Sequence, residues 1–253
     1  MILGSASRLF RATLIGGKLQ IKKFLIRTKF IMCGRFTSTA TPEELMSRFG
    51  VIITKNLRPR WNVAPSQSAN VIIRDGLHAA AISAEWGLRP AGGNKTMLIN
   101  ARMETAKEKP TFSGAFLHSR CIVTASGWYE WSAPKTPWYI QLCGGGVMAM
   151  AGLLFRCGAQ SRFVIMTSAA DRKLAEIHNR QPLVLGAGDE EDWLGGTADR
   201  AAALCKITPA SRFNWYRVSP NVGKVEVDHP ELVTPLGSDA LFKKGPDQDD
   251  LFG

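Results

Sequence analysis

Between residues 69 and 168 the chain is a succession of short apolar runs bounded by glycine and proline, and this limits the fold more than any other feature. Asn70–Arg74, Ala79–Trp86, Cys121–Thr124, Trp138–Leu142, Val147–Phe155 and Phe163–Thr167 have the length and composition of β-strands, and Phe213–Val218 reads as a late one. Helix signals lie around them. Thr41-Pro42-Glu43-Glu44 places a capping threonine, a proline at the first helical position and a glutamate that closes a capping box. Leu45 and Phe49 then share a face, and Gly50 stops the helix. Further helices are expected at Arg172–His178, Glu190–Leu194 and, capped by Thr197, Ala198–Lys206. No internal repeat occurs, and no linker before about residue 236. The expected fold is therefore α+β: one β-rich domain over residues 32–236, with a curved sheet or barrel-like core and peripheral helices. Residues 237–253 are polar and are expected to be flexible.

No apolar run approaches the roughly 20 residues that cross a bilayer, so no membrane partner is expected. Five cysteines, at 33, 121, 143, 157 and 205, form no CxxC pair, and their odd number suits a reducing, cytoplasmic setting. Zinc is a poor fit to that spacing, and neither a metal nor a cofactor is expected. The net charge of +11 is unevenly placed. Arg8, Arg11, Lys18, Lys22, Lys23, Arg27 and Lys29 fall within residues 1–31, which hold no acid, leaving +4 for the remainder. That remainder is mildly basic and suits a local phosphate-binding groove. The first 31 residues read as a basic extension outside the mature protein, with the look of a transit peptide or a basic amphipathic helix. A translated upstream region, a removed targeting segment and a retained basic arm all remain open.

Met32-Cys33-Gly34-Arg35-Phe36 is the most informative string. If Cys33 begins the mature chain, it presents a free α-amine two carbons from a thiol. An aldehyde condenses with such an amine to an imine, and the thiol closes a five-membered thiazolidine on the same carbon. An internal cysteine has only an unreactive amide nitrogen. An α-amine with a pKa near 7.7–8.0 is roughly a tenth neutral at pH 7, against about 0.04% for a lysine near 10.4. The plain alternative is a buried core cysteine.

Further strings follow in order: Arg60-Trp61-Asn62-Val63-Ala64-Pro65, Trp86-Gly87-Leu88-Arg89-Pro90, Ile99-Asn100-Ala101-Arg102-Met103-Glu104-Thr105, Arg120-Cys121 leading to Gly127-Trp128-Tyr129-Glu130-Trp131, and Ile177-His178-Asn179-Arg180-Gln181-Pro182. In order and spacing they resemble the SRAP family, the SOS response-associated peptidases or abasic-site processing proteins, from Met32 to about Pro235. The resemblance implies that Cys33 becomes residue one by autoproteolysis. It implies covalent attachment to abasic sites in single-stranded DNA, with strand-nicking lyase chemistry through the imine. It also implies catalytic roles for Glu130 and His178, and places Asn100 and Arg102 near the reacting sugar and its phosphate.

These roles agree with side-chain chemistry. A carboxylate beside an amine can take its proton and deliver one to a departing hydroxyl, which suits Glu130, with a strand-end surface glutamate as the alternative. His178 suits holding or shuttling a sugar hydroxyl proton, with a satisfied structural histidine as the alternative. Asn100 and Arg102 alternate on an extended segment and so share a face. Arg35, Arg60 and Arg89 are further candidates for phosphate contact, and Trp86 for stacking on a base, with a core role as the alternative. Asn62 and Pro65 are expected to shape a loop along the same groove. One departure stands out: Ala91-Gly92-Gly93-Asn94 occupies a place where the family commonly carries tryptophans, which implies weaker, more salt-sensitive DNA binding. Gln248-Asp249-Asp250-Leu251-Phe252 resembles a sliding-clamp docking peptide, with Gln248, Leu251 and Phe252 as anchors and an ordinary acidic tail as the alternative. Two other readings compete: a general cysteine peptidase using Cys33 and His178, and a non-covalent single-strand binding module.

Overall fold

The computed structural model describes residues 33–51, 53, 58–89 and 96–237, together with the backbone of residues 8–15 and 18–25. The latter form a unit of their own. In it β1 (Arg8–Ile15) pairs antiparallel with β2 (Lys18–Leu25), from Arg8 opposite Leu25 to Ile15 opposite Lys18. This corrects the amphipathic-helix expectation. Leu, Ile, Phe and Thr, which favour strands, are interspersed among the charges, and Gly16-Gly17 between the runs is a two-residue hairpin signal.

The main unit opens with β3 (Arg35–Ser38), α1 (Pro42–Phe49), β4 (Arg60–Val63), β5 (Ser68–Asp75), β6 (His78–Trp86) and β7 (Asn100–Arg102). Next come α2 (Met103–Ala106), α3 (Pro110–His118), β8 (Arg120–Ala125), β9 (Gly127–Ser132), β10 (Thr136–Leu142), β11 (Met148–Cys157) and β12 (Gln160–Ala169). The unit ends with β13 (Arg180–Pro182), α4 (Glu190–Gly195), α5 (Ala198–Ala203) and β14 (Phe213–Arg217). The α1 capping box is present as expected. Glu44 N–H donates to the Thr41 hydroxyl, Thr41 N–H donates to the Glu44 carboxylate, and Gly50 follows in the left-handed region at φ 64°. The helix expected over Arg172–His178 shrinks to one 3-10 turn, Leu174–Glu176, before the chain turns into β13.

Among the described residues, β11, β8, β5, β6 and β12 pair in that order, and β12 also pairs with β11. The circuit closes into a five-stranded barrel, which removes its sheet edges. Only the β6–β12 step is parallel. Side chains alternate between two cores, as the two-residue period of a strand requires. Val71, Ile73, Cys121, Val123, Met148, Met150 and Ile165 join one; Ile72, Ile122, Ala149, Ala151, Val164 and Met166 join the other. The second core is completed by Leu45 of α1, Phe112 and Phe116 of α3 and Trp193 of α4. Both faces are buried, so these strands read as continuous apolar runs, each large side chain contributing about 1.5–3 kcal/mol.

The first core is shared with a second sheet, ordered β14-β10-β9-β3-β4, through Phe36, Trp128, Ile140, Phe213 and Trp215. Only Ser126 separates β8 from β9, so one stretch of chain passes from the barrel into this sheet and carries Glu130 with it. Gly127 is required at that passage, because a Cβ there would collide with the ring of Tyr139. No helix among the described residues is long and apolar enough to cross a membrane.

Candidate active site

β3 pairs antiparallel with β9, Arg35 opposite Tyr129 and Phe36 opposite Trp128. That register sets the residues just before β3 beside the end of β9. There a single carboxylate oxygen of Glu130 accepts twice from one residue: Cys33 main-chain N–H at 2.9 Å and Cys33 Sγ–H at 2.6 Å. Cys33 sits at φ 40°, in the left-handed region that costs a non-glycine residue of order 1 kcal/mol or more. Cys33 and Glu130 are 2% and 3% exposed, so this pair of polar groups lies in the protein interior.

Burial dictates their protonation. It pushes Glu130 up to about 8, against the opposing pull of the two Cys33 hydrogen bonds. It also pushes the Cys33 thiol well up, as do the neighbouring charge and hydrogen bond of Glu130, while the positive charge of Arg180 works the other way. At neutral pH the resting pair is thus a thiol and a predominantly neutral carboxyl.

His178 lies between the 3-10 turn and β13. Its Nδ1 is 3.2 Å from Arg180 N–H and 3.3 Å from Arg180 O, and it stands 3.9 Å from the second Glu130 oxygen. Burial lowers its pKa, favouring a neutral imidazole. Glu130, His178 and Arg180 line one small recess with Trp128, Ile140 and Leu174.

Asn100 and Arg102 sit on β7, parallel to β12, with Asn100 opposite Ile165 and Arg102 opposite Thr167. Ala101 enters the core, so the two flanking side chains share the other face, as expected. Thr167 is also opposite Pro182, so the end of β12 has β7 on one side and β13, which follows His178, on the other.

Four expected DNA contacts are otherwise engaged. Trp86 is fully buried between Phe36 and Phe163, its indole N–H donating to Ile99 O at 2.9 Å. It offers no face to a base, and the core alternative describes it. Asn62 is equally buried: its amide donates to Val222 O, Lys224 O and Val227 O, and its carbonyl accepts from Arg35. Arg35 also donates to Val222 O and Gly223 O, and Arg60 pairs with Asp228 and donates to Gln67. These three therefore fasten the segment at 222–228 to β3 and β4. Of the remaining expected contacts, Arg89 and Arg102 are exposed and Pro65 is half-buried in a turn. Pro90, Ala91–Asn94, Gln248, Leu251 and Phe252 lie outside the described residues.

Three residues outside the expected set, Arg180, Glu104 and Asp228, organise the site and the neighbouring β4. Arg180 and Glu104 form a two-bond ion pair, Nη1 to Oε1 at 2.5 Å and Nη2 to Oε2 at 2.9 Å. Asp228 accepts the main-chain N–H groups of Trp61 and Asn62 as well as Arg60. The signal for the first two was their place inside strings already singled out, Arg180 two residues past His178 and Glu104 two past Arg102.

The model of the family described as SOS response associated peptidase (SRAP) matches residues 32–225, beginning one residue before Cys33. The chain belongs to the SRAP family. This SRAP chain is 33% identical over 222 residues to the abasic site processing protein YedK of Escherichia coli (strain K12), covering 81% of its own length and 100% of the relative. It is 27% identical over 282 residues to the abasic site processing protein HMCES of Mus musculus, covering 85% of itself and 78% of that protein. Among solved structures, a Bacteroides thetaiotaomicron protein shares the fold at TM-score 0.71 and 23% identity, over 80% of this chain and 99% of that one. A phage-related protein from Bordetella bronchiseptica matches at TM-score 0.64 and 27% identity, over 74% and 94%. The barrel and the second sheet are thus the fold that this chain shares with those solved structures.

Proposed function

We propose that this protein processes abasic sites in single-stranded DNA by attaching itself covalently through Cys33, as the first residue of the mature chain. The observation that carries this reading is the position of Glu130 Oε1, within 2.9 Å of the Cys33 nitrogen and 2.6 Å of its sulfur. One proton-carrying group thereby serves both atoms that a thiazolidine requires. The names of the relatives, all abasic site processing proteins, support the substrate.

The steps balance without a cofactor. The free amine of Cys33 adds to the aldehyde carbon of the ring-opened sugar while the neutral Glu130 carboxyl gives its proton to the carbonyl oxygen, and the resulting carboxylate takes one proton from the nitrogen. Glu130 returns that proton to the hydroxyl, which leaves as water, and takes the second nitrogen proton to give the imine. The sulfur then adds to the imine carbon while its proton passes to the nitrogen through the same carboxylate, closing the ring. Aldehyde plus aminothiol gives thiazolidine plus one water. A carboxyl with a pKa pushed up to about 8 gives and takes protons near neutrality. Reversal uses the same group by microscopic reversibility, and β-elimination from the imine would nick the strand.

Exposure of the amine requires cleavage of the Met32–Cys33 bond. Cys33, strained at φ 40° when a residue precedes it, loses that constraint once the bond is cut. Asn100, Arg102 and Arg89 are our candidates for contact with the sugar and phosphates. The missing tryptophans at 91–94 should make non-covalent binding salt-sensitive, and Gln248, Leu251 and Phe252 are proposed to dock on a sliding clamp.

The deciding experiment is Cys33→Ala in protein beginning at residue 33, incubated with an abasic-site oligonucleotide. The expected result is loss of the heat-stable adduct with nicking retained through the alanine amine. Full retention of a heat-stable adduct would refute the reading, and loss of peptide-bond cleavage alone would favour a peptidase.

A further inference from the structure

Arg180 is held more tightly than a surface arginine needs to be. Both Glu104 carboxylate oxygens receive its terminal nitrogens, and Nη2 also donates to Thr167 O at 2.6 Å and to Thr167 Oγ1 at 3.2 Å. A two-pronged carboxylate–guanidinium pair fixes direction as well as distance. Glu104 carries the pair from the start of α2, immediately beyond β7, to the first residue of β13. The main chain of that same arginine holds the His178 imidazole: Arg180 N–H lies 3.2 Å from Nδ1, with Arg180 O at 3.3 Å. Which of the two contacts Nδ1 makes decides the tautomer. If it accepts from the N–H, the proton sits on Nε2; if it donates to the carbonyl, Nε2 is bare.

We propose that Glu104 is a positioning residue for His178. By clamping Arg180 it fixes the main chain that holds the ring, so that Nδ1 accepts and Nε2 carries the proton. The clamp also joins the two chain segments that bear the expected substrate-side groups, since Asn100 and Arg102 lie on β7, which runs straight into α2, and only Asn179 separates His178 from β13. The consequence for DNA attachment rests on the function proposed above; the effect on the ring does not.

The test therefore has two readouts on protein beginning at Cys33. Nitrogen-15 spectra of the histidines, four in the chain, report the His178 tautomer directly. The expected result is an Nε2–H imidazole in the wild type and a mixture of tautomers in Glu104→Ala, with Glu104→Asp intermediate. The second readout is the rate of adduct formation with an abasic-site oligonucleotide, set beside non-covalent affinity for the same oligonucleotide carrying a tetrahydrofuran analogue. Glu104→Ala should slow the reaction about 10-fold, as small misplacements of a catalytic group do, with analogue affinity changed less than 2-fold. In a His178→Ala background the further loss should vanish. An Nδ1–H imidazole in the wild type, or an unaltered tautomer in Glu104→Ala, overturns the proposal. So does a rate loss that persists undiminished without His178. A wild type that makes no adduct yet shows the tautomer change would keep the positioning role and sink the crosslinking function.

Discussion

His178 Nδ1 stands 3.9 Å from the second carboxyl oxygen of Glu130, beyond hydrogen-bond reach, whereas the first oxygen is shared by both reactive atoms of Cys33. The carboxyl is therefore committed to the cysteine, and the imidazole stands apart from that proton path. Glu130→Gln keeps the size of the side chain and removes its proton. It should slow adduct formation about 10²–10⁴-fold, the usual worth of a general acid–base. His178→Ala should cost less. Single-turnover rates would check this, and equal losses in the two variants would contradict the division of labour.

The same carboxyl makes stability depend on pH. Its pKa is about 8 when folded, above the ordinary carboxylate value of 4.5. The folded state therefore holds a proton that the unfolded state gives up between these values. Its contribution is fully present below about pH 4.5 and is lost as pH rises through 8, each unit of difference being worth about 1.4 kcal/mol. A chain that keeps residues ahead of Cys33 should thus melt at a lower temperature at pH 9 than at pH 6. Glu130→Gln should flatten that difference in thermal unfolding. Parallel curves for the two proteins would be inconsistent with a buried carboxyl.

Trp86 packs against Phe36 and Phe163 and donates to Ile99 O. Trp86→Ala should cost about 3–5 kcal/mol of folding stability in urea denaturation. A variant of wild-type stability with selectively weakened DNA binding would restore the stacking role that the sequence suggested.

Asn62→Ala leaves three main-chain carbonyls and the Arg35 guanidinium without their shared partner. The expected effect is a loss of about 2–4 kcal/mol, at roughly 1 kcal/mol or more for each broken buried bond. Limited proteolysis should then open the segment at 222–228 first. An unchanged cleavage pattern would argue against its role as an anchor.

Local structure was legible where the signal is local. The Thr41–Glu44 capping box, the Gly50 stop and the strand over Ala79–Trp86 follow from neighbouring residues, and each appears in place. Barrel closure was not legible, because the parallel β6–β12 pairing joins Glu85 to Arg162, with β7 to β11 intervening along the chain. Helix α3 was missed although Pro110 and the spacing of Phe112, Ala115 and Phe116 announce it. In the site, Cys33 stood out through its chemistry and Glu130 and His178 through the family resemblance, and the meeting of Cys33 with Glu130 depends on the β3–β9 register. Sequence alone did not distinguish an arginine that faces phosphate from one that binds carbonyls, as Arg35 does, or a carboxylate, as Arg60 does.

The most direct measurement is the intact mass of protein beginning at Cys33 after incubation with an abasic-site oligonucleotide and heating. The account predicts one species at the summed masses less a single water, absent when any residue precedes Cys33. A correctly processed protein that yields no such species, or an equal yield from a chain in which Cys33 is internal, would contradict it.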